Sequence, residues 1–160
     1  MSRETVGKPM DILLVEDNLE DARATIEALK EAEVRCRVSL VVDGEEAMTF
    51  LRRKGIFAQA PRPKMILLDM ELPKKDGRQL LAEIRADEEL KRIPVVILTA
   101  SLAHKAVLKA QKLHVDEYMT KPVSLEQFIR VVKALRRASL LETSPAELSP
   151  KNQTWPPLGD

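Results

Sequence analysis

Apolar runs too short for a helix, and unbroken by polar residues, limit the fold of this chain more than any other feature. "DILLV" (11–15), "KMILLD" (64–69) and "IPVVILT" (93–99) are runs of this kind. A strand with one wet face alternates apolar and polar residues, whereas a continuous apolar run needs cover on both faces. "CRVSLVV" (36–42) and "EYMT" (117–120) complete a set of five strand candidates, and a helical pattern follows each of the five. Strict strand–helix alternation of this kind predicts an α/β fold: a (βα)5 doubly wound, five-stranded parallel sheet with helices on both faces. Connections in such a sheet are right-handed, and ligands bind at the carboxyl ends of the strands.

The helices carry their own signals. Residues 19–32 place Ala22, Ile26 and Leu29 at helical spacing behind the cap candidate Asn18. Asp43 with Glu46 is a capping-box variant for a helix running to about Lys54. Residues 78–90 carry the stripe Leu80, Leu81, Ile84. Residues 103–114 are a thinner candidate whose apolar positions are Ala106, Val107, Ala110 and Leu113. Ser124 with Gln127 opens a last helix with the stripe Leu125, Phe128, Ile129, Val132 and Leu135. Pro61, Pro63, Pro73, Pro94 and Pro122 all fall at strand starts or in loops.

A chain of 160 residues is enough for one domain with a sizeable core. The expected division is an N-terminal tail over 1–9, the α/β domain over 10–138 and a Pro-rich, mostly irregular extension over 139–160. That extension holds Trp155, which reads either as incidental or as an anchor on another surface. Lys plus Arg is 26 against 25 for Asp plus Glu, so bulk charge gives no pull toward nucleic acid or a membrane. The basic runs Arg52-Arg53-Lys54 and Arg136-Arg137 sit at expected helix ends, where they complement the helix dipole. A lone Cys36 allows no intrachain disulfide, and neither a leader-like segment nor a membrane-length apolar run is visible. The expected location is the cytoplasm.

Chemistry enters at the strand ends. The first strand ends in Glu16 and Asp17, the third in Asp69, the fourth in Thr99, and Lys121 follows the fifth. In a parallel α/β sheet these positions share one edge. Each has an ordinary reading by itself: acids open helices, and Asp69 could simply begin the loop that continues through Pro73 and Gly77. Together they are specific. Three converging carboxylates repel one another unless a cation sits among them, and hard oxygen ligands suit Mg²⁺ together with phosphate oxygens. A cation there would let a phosphate dianion approach and leave one aspartate to attack phosphorus. Lys121 would supply positive charge to the phosphoryl oxygens and Thr99 a hydroxyl hydrogen bond.

"LLVEDN", "ILLDMELPKKDG", "VVILTAS" and "YMTKP" carry a resemblance, over about 11–137, to the receiver domain of bacterial two-component response regulators. The resemblance implies a flavodoxin-like sheet of strand order 2-1-3-4-5, with Asp69 as phosphoacceptor from a phosphohistidine on a sensor histidine kinase. It implies direct Mg²⁺ ligation by Asp17 and Asp69 and by the backbone carbonyl of Glu71, with Glu16 acting through water; Mn²⁺ or Ca²⁺ could substitute. Thr99 and Lys121 would contact the phosphoryl oxygens, Thr99 and Tyr118 would form the switch, and the Lys121–Pro122 bond would be cis. The chain would signal by phosphorylation-dependent protein contacts or phosphorelay, as a stand-alone domain with only intrinsic phosphotransfer and autodephosphorylation, not as an enzyme.

A narrower likeness, carried by the "RP" before the third strand and by "LPKKDGR", "RIPVV" and "LHV", is to the small regulators paired with phytochrome-type, light-sensing kinases. It implies such a kinase as partner and a homodimer through the 103–138 face, the C-terminal tail or both. Two rivals remain. One is an interaction-only pseudo-receiver. The other is a Mg²⁺-dependent aspartyl-phosphate phosphatase of the haloacid-dehalogenase type, whose nucleophile would end the first strand rather than the third.

Overall fold

A computed structural model describes residues 9–32, 35–72 and 75–141. Strands β1 (Met10–Val15), β2 (Cys36–Val41), β3 (Met65–Asp69), β4 (Val95–Thr99) and β5 (Glu117–Thr120) form one parallel sheet in the order β2-β1-β3-β4-β5. Helices α1 (Leu19–Lys30), α2 (Gly44–Leu51), α3 (Gly77–Ala86), α4 (Ala103–Ala110) and α5 (Leu125–Arg137) alternate with them, and a 3₁₀ turn spans Gly55–Phe57. The expected fold and strand order are both present.

Each strand sends alternate residues to opposite faces, and the core divides accordingly. Leu13, Val15, Ile66, Leu68, Val95 and Ile97 pack with α2 and α3 on one side. Ile12, Leu14, Met65, Leu67, Val96 and Leu98 pack with α1 and α5 on the other. All five residues of β3 and of β4 are buried, which is why those stretches are continuously apolar. β2 is an edge strand and only partly covered; there Asp11 and Arg37, paired in register, form an ion pair at 2.7 Å.

Caps fix most helix starts. Asn18 accepts from the Asp21 amide and Asp43 from the Glu46 amide. Asp76 and Gln79 make a full capping box ahead of α3. At α5 only half of the expected box forms. Ser124 accepts from the Gln127 amide, while the Gln127 side chain turns back to Thr120 and Pro122 across the cis Lys121–Pro122 bond.

Several helices end earlier than their patterns suggest. α2 stops at Leu51 rather than Lys54, because Arg53 adopts φ 57°. α3 stops at Ala86 because Asp87 is extended and its carboxylate caps the next turn through the Glu89 and Leu90 amides. α4 stops at Ala110 and buries Leu108, while Ala106 and Val107 are exposed; its inward face is one residue removed from the expected stripe. Leu141 packs against the α1/α5 face. The tail beyond it, including Trp155, and the N-terminal residues 1–8 lie outside the described residues.

Candidate functional site

The sheet's alternation sorts the candidate residues. Glu16 and Asp69 continue the rows of β1 and β3 that face α1 and α5, and Lys121 continues that of β5. Thr99 continues the opposite row of β4, and Tyr118 packs on that same side. The carboxyl edge therefore carries an acid–lysine cluster toward one helix layer and a hydroxyl–aromatic pair toward the other.

In the cluster, one carboxylate oxygen from each of Glu16, Asp17 and Asp69 lies within 4.8 Å of the other two. Lys121 Nζ reaches into it, 3.0 Å from Glu16 Oε1, 3.1 Å from Asp69 Oδ1 and 3.2 Å from Asp21 Oδ2. Glu16 and Asp69 are buried, whereas Asp17 is exposed at the mouth. The Glu71 amide donates to Asp69 Oδ1 at 3.3 Å, and the Gly77 amide donates to the Met70 carbonyl at 3.2 Å, which returns the chain to the end of β3.

Gly77 makes that return possible: a Cβ there would stand 2.7 Å from the Asp69 carbonyl oxygen and 2.8 Å from Met70 Cα. No side chain can occupy that position without moving backbone. The "DG" of "PKKDG" thus seats α3 directly beneath the strand end.

Electrostatics expose the strain of the cluster. Burial, reinforced by contact with Asp69, pushes the Glu16 carboxyl up to about 7, while Lys121 pulls it the other way. Burial would lower Lys121, but the contacts with Glu16 and Asp69 outweigh it and hold the ammonium above its ordinary range. One lysine does not satisfy so many acids. Glu16 Oε1 is a buried acceptor whose contact with Lys121 lacks hydrogen-bond angles. A buried carboxylate oxygen with an ion-pair contact but no hydrogen bond, set among three hard oxygen donors, fits a divalent cation.

The Thr99 and Tyr118 pair stands apart from the acid cluster. Thr99 Oγ1 contacts the Ser101 carbonyl at 2.8 Å, the Ser101 amide at 3.0 Å and His104 Nδ1 at 2.6 Å. Among the described residues none of its hydrogen bonds reaches Asp69. Tyr118 is half-buried, and Lys105 Nζ sits 5.4 Å from its ring centroid. The Lys121–Pro122 bond is cis, as the resemblance implied.

Sequence reasoning missed Asp21, His104 and Lys105. Asp21 was visible as a first-turn acid of a helix entering from the site's edge. Nothing in one sequence marks His104, because only the packing of α4 sets it against Thr99.

Residues 12–133 match the family model described as the response regulator receiver domain. The chain is 44% identical over 135 residues to the response regulator Rcp1 of Synechocystis sp., covering 84% of this chain and 91% of that one. The solved Mn²⁺-bound form of Rcp1 superposes with a TM-score of 0.67 at 42% identity, covering 85% and 98% of the two chains. The phosphorylated cyanobacterial phytochrome response regulator RcpA gives 0.67 at 47% identity over 81% and 93%. The bacteriophytochrome response regulator RtBRR gives 0.74 at 38% identity over 80% and 78%. Sheet order, acid cluster and sequence match agree: the chain belongs to the response regulator receiver domain family, and its relatives include the phytochrome response regulators.

Proposed function

We propose that Asp69 accepts a phosphoryl group from a phosphohistidine of a phytochrome-type sensor histidine kinase. A carboxylate oxygen of Asp69 bonds to phosphorus as the histidine N–P bond breaks, and the departing imidazole keeps that electron pair. The observation that carries this reading is Lys121 Nζ standing 3.1 Å from Asp69 Oδ1, with the Glu16 and Asp17 oxygens alongside. Asp69, Lys121 and the acids Glu16 and Asp17 share one sheet edge, which supports reading Asp69 as the nucleophile and Lys121 as its countercharge. That completeness favours a phosphoacceptor over an interaction-only pseudo-receiver. A phosphatase of the haloacid-dehalogenase type would need its nucleophile at the end of β1, and Asp69 ends β3.

Glu16, Asp17 and Asp69, with the backbone carbonyl of Glu71, would hold Mg²⁺, for which Mn²⁺ or Ca²⁺ can substitute. A bound dication supplies the charge neutralisation that lets a phosphate dianion approach three carboxylates. Lys121 holds its charge against the incoming phosphoryl oxygens, and Thr99 donates its hydroxyl to them once it turns inward. Burial keeps bulk water from competing with these contacts. The chain's own chemistry ends with this transfer and its reversal or hydrolysis, so it acts as a signalling protein rather than an enzyme with an outside substrate.

Readout follows from the pair Thr99 and Tyr118. Movement of the two remodels the 103–138 face, where phosphorylation-dependent contacts form with a partner protein or a second copy of the chain, with the 139–160 tail as a further contact. Relay of the phosphoryl group to a second protein uses the same Asp69. No helix among the described residues is long and apolar enough to cross a membrane.

Transfer from radiolabelled, phosphorylated histidine kinases tests the reading. A phytochrome-type kinase loses label to the wild-type chain within seconds and none to Asp69→Asn. Equal transfer to the two proteins, or none from any kinase, contradicts it.

A further inference from the structure

α4 is held to the domain by little. Leu102 at its start offers no side-chain cap, Ser101 Oγ accepts from the Ala103 amide at a long 3.2 Å, and among the helix residues whose burial is described Leu108 is the buried apolar one. Such a helix sits at the low end of local stability, where each specific contact weighs more. His104 lies one turn before Leu108 on the same face, and its ring reaches Thr99 Oγ1 at 2.6 Å. The next residue, Lys105, places its ammonium over the Tyr118 ring. The first turn of α4 therefore touches both members of the switch pair.

Valence makes the first contact decisive. A threonine hydroxyl has one proton to donate and two lone pairs to accept with. Thr99 Oγ1 accepts from the Ser101 amide and donates to the Ser101 carbonyl, which leaves one lone pair for His104. The set closes when Nδ1 carries the hydrogen and donates. Every hydrogen-bonding capacity of the hydroxyl is then used, and the donor that a phosphoryl oxygen would need is committed elsewhere. The two Ser101 contacts are local, spanning two residues. The bond to His104 is the one that ties Thr99 to a helix.

We propose that His104 is a positioning residue that holds Thr99 turned away from Asp69, coupling the first turn of α4 to the phosphorylation site. The inference rests on Asp69 being the phosphoacceptor. Phosphorylation draws the Thr99 proton inward, the His104 bond is given up, and α4 loses a principal tether just as Tyr118 and Lys105 are free to rearrange. By reciprocity, loosening the tether favours the phosphorylated form.

Affinity for beryllium fluoride in the presence of Mg²⁺ tests this. His104 is only half-buried, so its replacement leaves the core intact. His104→Ala binds about threefold to tenfold more tightly than wild type, the worth of one net hydrogen bond. His104→Asn, which keeps an amide nitrogen near the Nδ1 position, stays close to wild type. In a Thr99→Val background His104→Ala changes nothing, because the two act through one bond. Unchanged or weaker binding by His104→Ala, or the same tightening in the Thr99→Val background, overturns the role of His104. Failure of the wild-type chain itself to bind overturns the phosphoacceptor reading, and the role of His104 with it.

Discussion

Lys121 Nζ stands 3.2 Å from Asp21 Oδ2 and 3.1 Å from Asp69 Oδ1, so a first-turn acid of α1 and the strand-end aspartate share one ammonium. Lys121 is the larger partner in this arrangement. Lys121→Ala removes the countercharge to the buried Glu16 and Asp69, and phosphorylation by acetyl phosphate slows by about 100-fold, as for loss of one preorganised electrostatic contact. Asp21 is half-exposed, and exposed pairs contribute less than about 1 kcal/mol. Asp21→Ala frees Lys121 for the phosphoryl group and speeds labelling less than about fivefold. Initial rates with acetyl phosphate and Mg²⁺ check both; a larger loss from Asp21→Ala than from Lys121→Ala would reverse these roles.

Glu16 sets a pH dependence. Its carboxyl ordinarily titrates at 4.5 and is raised to about 7 in the cation-free fold, mainly by burial. Between those values the folded chain keeps a proton that the unfolded chain has released. The contribution is fully present below pH 4.5 and is lost as pH rises toward about 7. The slope is at most about 1.4 kcal/mol per pH unit. A bound dication favours the carboxylate and removes the slope. Urea unfolding of wild type and Glu16→Gln across that window, with and without Mg²⁺, measures it: the difference between the two proteins falls with pH only when Mg²⁺ is absent.

Gly77→Ala tests the seating of α3 beneath the site. Alanine would ordinarily stabilise a helix over glycine by about 0.5–1 kcal/mol. Here its Cβ meets the Asp69 carbonyl oxygen at 2.7 Å, and backbone must shift. The expected outcome is a net loss of about 1–3 kcal/mol in urea unfolding, with weaker Mn²⁺ binding because the displaced backbone is that of Asp69. A stabilised variant would show that α3 can move away freely.

At the amino ends of β4 and β5, the side chain of Asp116 is 4% exposed and accepts from Arg85 Nη2 at 2.8 Å, the Val95 amide at 2.7 Å and His114 Nε2 at 2.9 Å. Asp116→Ala leaves the Val95 amide without its acceptor and the largely buried Arg85 without its countercharge, though Arg85 keeps the carbonyls of Lys91, Ile93 and His114, and costs about 3–5 kcal/mol of stability. Because this clamp lies opposite the acid cluster, cation affinity of the folded variant is unchanged. Denaturant melts and Mn²⁺ titration separate the two effects.

The parts of this molecule that follow from local pattern were legible in its sequence. β3 and β4 announced themselves because a strand buried on both faces must be apolar throughout, and Glu16, Asp69 and Thr99 stood out as polar residues closing such runs. Helix ends were less legible. α2 ends where Arg53 turns left-handed, and α3 ends where Asp87 prefers to cap a new turn; both are choices between competing local hydrogen bonds. The bond between Thr99 and His104 was not legible at all, since the pattern around 103–114 pointed to Val107 facing inward and the helix turned out to bury Leu108. A one-residue rotation of a weakly apolar helix decides which polar side chain meets Thr99.

Site-resolved mass spectrometry of the chain after incubation with acetyl phosphate and Mg²⁺ tests the central claim most directly. The expected result is one phosphoryl group per chain, stable in acid and labile in base, located at Asp69, and absent from Asp69→Asn and from wild type treated without a divalent cation. Phosphate found on another residue, or undiminished labelling of Asp69→Asn, would contradict it.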